Sequence, residues 1–353
     1  MKSVYNGWKT SETDAHGFAG ANTPSGFCSS YDTIADEGRM KRVYIIKGGA
    51  GTGKSTLMYR IASAAEKQGR KCEYYLCGSD PDSLDCVVID GKIAVLDGTA
   101  PHAREMKYPG ASSAVIDVSK FWDPSVLIPH REELVQCAAL KNAAYASCYR
   151  WLAAADAVHR EQLTMSALLF DEEKARGYIG RSLDRFGKFQ SGDSRVLWSH
   201  AVTMKGRCRI RHIPVSRTFS LSDYYGTAAV FMNRLRNILM ERKIPHTAYS
   251  LPMSNTLSAI CLTESGILFT AVENDGTVVN MKRFIKENIP DGLRGRIRLS
   301  GEITESCLNT AADALTDAAE QHFAIEAVYK PAMDFKALNK YGETITREIL
   351  THL

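Results

Sequence analysis

The chain has 353 residues, 44% of them hydrophobic and 24% charged, with 44 Lys+Arg against 40 Asp+Glu for a formal net charge of +4. These proportions describe a globular protein of about two domains and exclude collagenous and disordered classes. The charge is too small to mark a nucleic-acid binder by itself, and no apolar run approaches the roughly 18 residues needed to span a bilayer.

The start, MKSVYNGWKTSETDAHG, is polar and acid-containing, so no secretory signal is expected there, and residues 1–15 are expected to be a flexible arm. The first strand signal is Val43-Tyr44-Ile45-Ile46-Lys47, an apolar run closed by glycines. A helix follows with Leu57, Met58, Ile61, Ala62 and Ala65 on one face and Gly69 as its stop. Cys72–Cys77 and Ile93–Asp97 read as further strands. Strands alternating with helices predict an α/β fold with parallel sheets. Residues 125–180 read as a helical segment belonging to a first domain at 16–180, and the basic stretch 181–217 as a linker and the start of a second unit. Nine cysteines (28, 72, 77, 86, 137, 148, 208, 261 and 307) include no C-x-x-C pair, so reduced thiols in a cytoplasm are expected.

The second half, 195–353, echoes the first in order. FAGANTPSG (18–26) lines up with WSHAVTMKG (198–206), STLMYRIASAA (55–65) with AVFMNRLRNIL (229–239), CEYYLC with HTAYSL (246–251), and KIAVLDGTA with GILFTAVEN (266–274). YASCYRWLAAAD (145–156) is set against IEAVYKPAMD (325–334). The expectation is a duplicated unit of three layers.

Gly48-Gly49-Ala50-Gly51-Thr52-Gly53-Lys54-Ser55 fits G-x-x-x-x-G-K-[ST] between a strand and a helix. Such glycines let backbone N–H groups turn inward into an anion nest, and the helix adds its positive end. Lys54 is expected to reach the β/γ-phosphates, Ser55 to ligate Mg²⁺, and Thr56 to touch the α-phosphate. Asp97, closing an apolar strand, matches the Walker B pattern that holds the Mg²⁺ shell; Asp90 after Val87-Val88-Ile89 is its rival. Asp80 and Asp82 lie in a turn after the second strand and could orient or deprotonate a water. Thr99 and His102 could sense the γ-phosphate. Arg104, Arg131, Arg207, Arg209, Arg211 and Arg217 are candidates for neutralising a transferring phosphoryl group.

In the second half, sequence alignment sets Ala228 at the Lys54 position and Ala229 at Ser55, and GILFTAV has no Asp where Asp97 stands. That half is expected to bind no nucleotide in the same mode.

HGFAGANTPSGF, VYIIKGGAGTGKSTLM, CGSDPDSLDCVVID, IAVLDGTAPH and KYPG together resemble a family of uncharacterised bacterial tandem P-loop proteins described as ATPases. The resemblance covers most of residues 16–125. It implies ATP and Mg²⁺ as ligands of Lys54, Ser55 and Asp97, with Asp80, Asp82 and His102 as motif members of unassigned role. It implies a phosphate loop in the second module too, from which this sequence departs. The leading expectation is a Mg²⁺-dependent ATPase coupled to an unknown protein partner or oligomer. A small-molecule or nucleotide kinase and a non-hydrolysing, ATP-gated regulator or scaffold are the alternatives. No N/T-K-x-D motif marks a GTPase. Nucleic acid as a partner rests only on 181–217 and Arg294-Gly295-Arg296-Ile297-Arg298.

Overall fold

The computed structural model describes residues 3–101, 103–190, 192–211, 215–254, 256–272 and 276–353. Its elements run β1 (Lys9–Asp14), β2 (Gly17–Phe18), β3 (Gly20–Thr23), β4 (Gly26–Ser29), α1 (Tyr31–Ile34), β5 (Arg42–Lys47), α2 (Lys54–Glu66), β6 (Cys72–Leu76), β7 (Leu84–Ile89), β8 (Ile93–Asp97), β9 (Ser113–Asp117), α3 (Pro124–Leu127), α4 (Arg131–Leu169) and α5 (Glu172–Phe186). They continue β10 (Arg195–Trp198), β11 (His200–Thr203), β12 (Gly206–Arg211), β13 (Arg217–Ser222), α6 (Thr227–Glu241), β14 (Thr247–Ser250), β15 (Leu257–Leu262), β16 (Ile267–Thr270), β17 (Thr277–Asn280), α7 (Leu293–Tyr329) and α8 (Phe335–Thr351).

One large mixed sheet runs β17-β13-β16-β15-β14-β10-β2-β6-β7-β8-β5-β9. Read outward from the β2–β10 seam, both sides give the same arrangement: β2, β6, β7, β8, β5, β9 on one, β10, β14, β15, β16, β13, β17 on the other. The seam itself is antiparallel, with Phe18 opposite Trp198. Within each side the strands are parallel except β7 and β15, which run antiparallel to both neighbours. The expectation of parallel sheets is corrected there. The β6–β7 connection is too short for a helical crossover, and β7 turns into β8 through Asp90 and Gly91, both at positive φ (49° and 65°). Asp-Gly in this conformation is a hairpin turn. Asp90 therefore lies at the opposite end of the sheet from Asp97, bonded to Arg70 and the Lys71 N–H, and is no rival to it.

The first-half and second-half hairpins match in detail. Thr23 Oγ1 donates to the Gly26 carbonyl at 2.7 Å and lies 3.3 Å from Cys28 Sγ. Thr203 Oγ1 donates to the Gly206 carbonyl at 2.8 Å and lies 3.5 Å from Cys208 Sγ.

The long helices cross between the halves. Antiparallel α4 and α7 pack along each other, and the 39 residues of α4 extend about 58 Å at 1.5 Å each. Phe170, after α4, bridges to Ile285 of the second half, while Met333, after α7, bridges to Trp122 of the first. Beyond those bridges α5 packs on α6, and α8 packs on α2. Arg60 of α2 bonds Asn339 of α8 at 2.7 Å, and Arg242 after α6 bonds Asp184 of α5 at 2.8 Å. Ala175, Ile179 and Leu183, four residues apart on α5, bury one face in the second-half core. Leu338, Ile345 and Ile349 of α8 do the same in the first-half core. Each core is thus closed by a helix from the other half. The expected assignment of 125–180 wholly to a first domain does not describe this packing. Nor do 145–156 and 325–334 correspond, since the former lie inside α4 and the latter span the end of α7.

Two other expectations are corrected. Residues 9–14 pair with β12, Tyr5 and Trp8 are buried, and the Tyr5 hydroxyl donates to the Leu257 carbonyl at 3.0 Å, so the described part of 1–15 is a docked segment. Within 181–217 the connection is confined to 187–194: 181–186 still belong to α5, and from 195 the stretch is β10, β11, β12 and the start of β13, the beginning of the second half. All nine cysteines are free thiols. No helix among the described residues is long and apolar enough to cross a membrane.

Candidate functional site

Strand β5 ends at Lys47 with four consecutive buried residues behind it, and Gly48–Gly53 carry the chain from there into α2. Two glycines show why the loop needs them. A Cβ on Gly48 would lie 2.4 Å from Val118 Cγ2. Gly53 caps α2 in the left-handed region, at φ 81°. Among the described residues no acceptor takes the N–H groups of Gly49 to Gly53. The loop thus presents backbone donors together with the positive end of α2.

Lys54 Nζ folds back into this loop, donating to the Gly49 carbonyl at 2.6 Å and the Gly48 carbonyl at 3.3 Å, and it lies 3.4 Å from Asp97 Oδ2. Asp97 Oδ1 accepts from the Thr99 N–H at 2.8 Å, and Thr99 Oγ1 donates to the Gly48 carbonyl at 2.6 Å. Burial raises the Asp97 carboxyl above its ordinary value; Lys54 opposes that shift and the neighbouring Asp85 adds to it. The Tyr31 hydroxyl ties the two acidic strands together, reaching the Asp97 carbonyl at 2.8 Å and the Asp85 carbonyl at 3.0 Å. Ser55 Oγ accepts from the Leu84 N–H at 3.0 Å.

These groups open onto a cavity of about 570 Å³, a size suited to a small-molecule ligand. The loop from Gly49 to Thr56, the turn at 77–85, Asp97 and Thr99 form its floor. Its walls come from elsewhere: Lys141 and Tyr145 on α4, and His322, Glu326, Tyr329 and Lys330 at the end of α7. Glu326 lies 2.7 Å from Lys330 and 3.5 Å from His322, which together hold its carboxyl down at about 2.

The structure brings Lys54, Ser55, Thr56, Asp97 and Asp80 to this cavity. Asp82 is not among its lining residues; it pairs with Lys205. Asp80 lies 3.1 Å from the same lysine and accepts from Ser83 Oγ at 2.8 Å, the arrangement of a turn carboxylate. None of the six candidate arginines lines the cavity. Arg104 lies 3.5 Å from buried Glu37, and Arg207 bonds Glu305 at 2.6 Å over the Trp8 ring. Arg131 borders an apolar groove beside Ile128 and Leu134. His102 lies outside the described residues. Sequence reading missed Asp85, Lys141, Tyr145 and the α7 group. Only Asp85 carries a signal, a carboxylate second in the otherwise apolar run Leu84–Ile89.

Comparison of the chain with protein-family models, curated proteins and solved structures returned no match.

The corresponding loop of the second half holds an anion of its own. Between β13 and α6 the chain is only 223–226, capped by Gly226 at φ 76°. These left-handed caps set Thr227, not Ala228, opposite Lys54, and Ala228 opposite Ser55. Asp223 Oδ1 accepts from the Ala228 N–H at 3.0 Å and its Oδ2 accepts from Ser3 Oγ at 2.9 Å, with the N–H groups of Tyr224 and Gly226 close enough to act on it electrostatically. Enclosure of this carboxylate raises its pKa above the ordinary value despite those donors. Ser166 of α4 covers the loop, donating to the Tyr225 carbonyl at 2.6 Å. Thr270 takes the place of Asp97, its Oγ1 accepting from the Val272 N–H at 3.1 Å as Asp97 accepts from Thr99.

Proposed function

We propose that the first-half cavity binds a nucleoside triphosphate, ATP by the sequence expectation, together with Mg²⁺, and hydrolyses it. The observation that carries this reading is the convergence of unaccepted loop N–H groups, the Lys54 ammonium and the Asp97 carboxylate on one cavity at the carboxyl end of β5. The symmetric strand order and matched hairpins support a duplicated P-loop-like unit. In that reading the second unit binds no nucleotide, because the Asp223 carboxylate sits at the start of α6 and takes the Ala228 N–H, where a phosphate would sit. The resemblance to tandem P-loop ATPases agrees with it.

The residues fit Mg²⁺ carried on a triphosphate. Among the described residues no three His, Cys, Asp or Glu side chains are grouped to hold a metal alone, but Mg²⁺ on phosphate takes only one or two protein ligands. Ser55 and Asp97 would hold it, directly or through water, and bound Mg²⁺ would neutralise charge developing on the phosphates. Lys54 leaves the Gly49 carbonyl to meet phosphate oxygens. The loop N–H groups hold the α- and β-phosphates in place. Asp85, and Asp80 although it also engages Ser83 and Lys205, line the cavity and in this reading orient a water or accept its proton. The walls from α4 and α7 narrow the opening to solvent on those sides, which strengthens these interactions.

A kinase is the second reading. Lys141 and Tyr145 of α4 line the same cavity beyond the loop, where an acceptor would sit. Mg·ATP binding and ADP release, measured for wild type, Lys54→Ala and Asp97→Ala, test the proposal. Loss of binding or turnover by at least tenfold in both variants supports it; a wild type indifferent to nucleotide sinks it. ADP release that appears only with an added small-molecule acceptor selects the kinase.

A further inference from the structure

Hydrolysis or transfer of a phosphoryl group calls for a cation on the side of the triphosphate away from the loop, and no candidate arginine reaches the cavity. We propose that Lys141 is that cation and contacts the terminal phosphoryl group, which rests on the triphosphate reading above.

The other cations bordering this space are already matched. Lys54 has Asp97 at 3.4 Å, Lys330 has Glu326 at 2.7 Å, and His322 shares that same Glu326. Lys141 lines the cavity with no carboxylate or hydrogen-bond partner among the described residues. Its side chain is half-buried, and that burial lowers its pKa. An ammonium desolvated without a counter-ion opposes folding, and an arriving anion relieves the cost. Its position on α4 fits the terminal group. Tyr145, one turn along the same face, lies beside Ser79 and Cys77 at the carboxyl end of β6. Lys141 therefore reaches the cavity from the side of the 77–85 turn, away from the end of α7 that covers Gly51. A cation there acts on charge absent from a diphosphate.

The experiment compares wild type, Lys141→Ala and Lys141→Arg for binding of a non-hydrolysable Mg·ATP analogue, Mg·ADP and inorganic tripolyphosphate. Circular dichroism and Tm serve as fold controls, and alanine is a good residue for this helix. Lys141→Ala is expected to weaken the triphosphate at least tenfold and the diphosphate less than threefold, with Lys141→Arg restoring part of the loss. Equal loss for both nucleotides, or none, overturns the proposal, because Lys141 then only shapes the wall. If wild type ignores nucleotides but binds tripolyphosphate in a Lys141-dependent way, the nucleotide reading fails and the anion contact stands. Wild type that binds none of the three overturns both.

Discussion

Replacing Asp223 with alanine tests whether the second loop is held shut by its own carboxylate. The carboxylate accepts from the Ala228 N–H at 3.0 Å and from Ser3 Oγ at 2.9 Å. Removing it leaves two donors, the Ala228 N–H and the Ser3 hydroxyl, without their acceptor, each worth about 1–3 kcal/mol where water is excluded. Two effects offset that gross loss. The cost of enclosing the carboxylate disappears, and water entering the vacated volume takes some of the donors, since the surrounding residues are only partly buried. The net expectation is a loss of about 2 kcal/mol, and about 1 kcal/mol for Asp223→Asn, which keeps one acceptor oxygen. Urea denaturation measures it as a shift in midpoint at unchanged slope. An Asp223→Ala variant within about 0.5 kcal/mol of wild type, with both halves folded, would refute the idea that this carboxylate holds the loop.

Two further outcomes follow from the same reasoning. Burial raises the Asp97 carboxyl more than Lys54 lowers it, so the folded protein binds its proton more tightly than the unfolded chain does. That contribution is full below the ordinary carboxylate range and is lost as pH rises through the raised value. Asp97→Asn should therefore melt higher than wild type at neutral pH, by about 1–2 °C for about 1 kcal/mol in a chain of this size. The gap should narrow as pH falls; a neutral-pH melting point at or below wild type contradicts it. Trp8→Ala should cost about 3 kcal/mol, because the indole is buried edge-on to His200 at 4.9 Å and beneath Arg207. A denaturation midpoint equivalent to less than about 1 kcal/mol of loss would mean the N-terminal segment contributes little.

What could be read from sequence was mostly local. Gly48–Ser55 specify a strand, a turn and a helix start within eight residues, and Asp97 follows its own apolar strand. The helix-to-helix echo of 55–65 in 229–239 survives as α2 and α6, though the caps shift the loop by one residue. Hidden features depend on distant partners. The amphipathic pattern of α4 and α7 shows that they bury a face, without saying in which half, so the crossing of α5 and α8 was out of reach. Lys141 and Glu326 carry no motif because different halves bring them to the cavity. Other misses had signals. Asp90-Gly91 spells a hairpin turn, which makes β7 antiparallel, and Tyr5 and Trp8 argue against a free arm. The loss of Lys54 from the second loop is legible in the sequence; Asp223, four residues before Thr227, carries the substitute anion and no motif marks it.

The crossing helices also decide what happens if the chain is severed. A cut within 187–194 would leave the glycine loop with its own strands and α2 but without the roof supplied from α7, and would strip Leu338, Ile345 and Ile349 from its core. The complementary fragment would lose α5 in turn, together with Ala175, Ile179 and Leu183. Neither piece would be a finished protein, and co-expressed pieces should recover their structure only by finding each other.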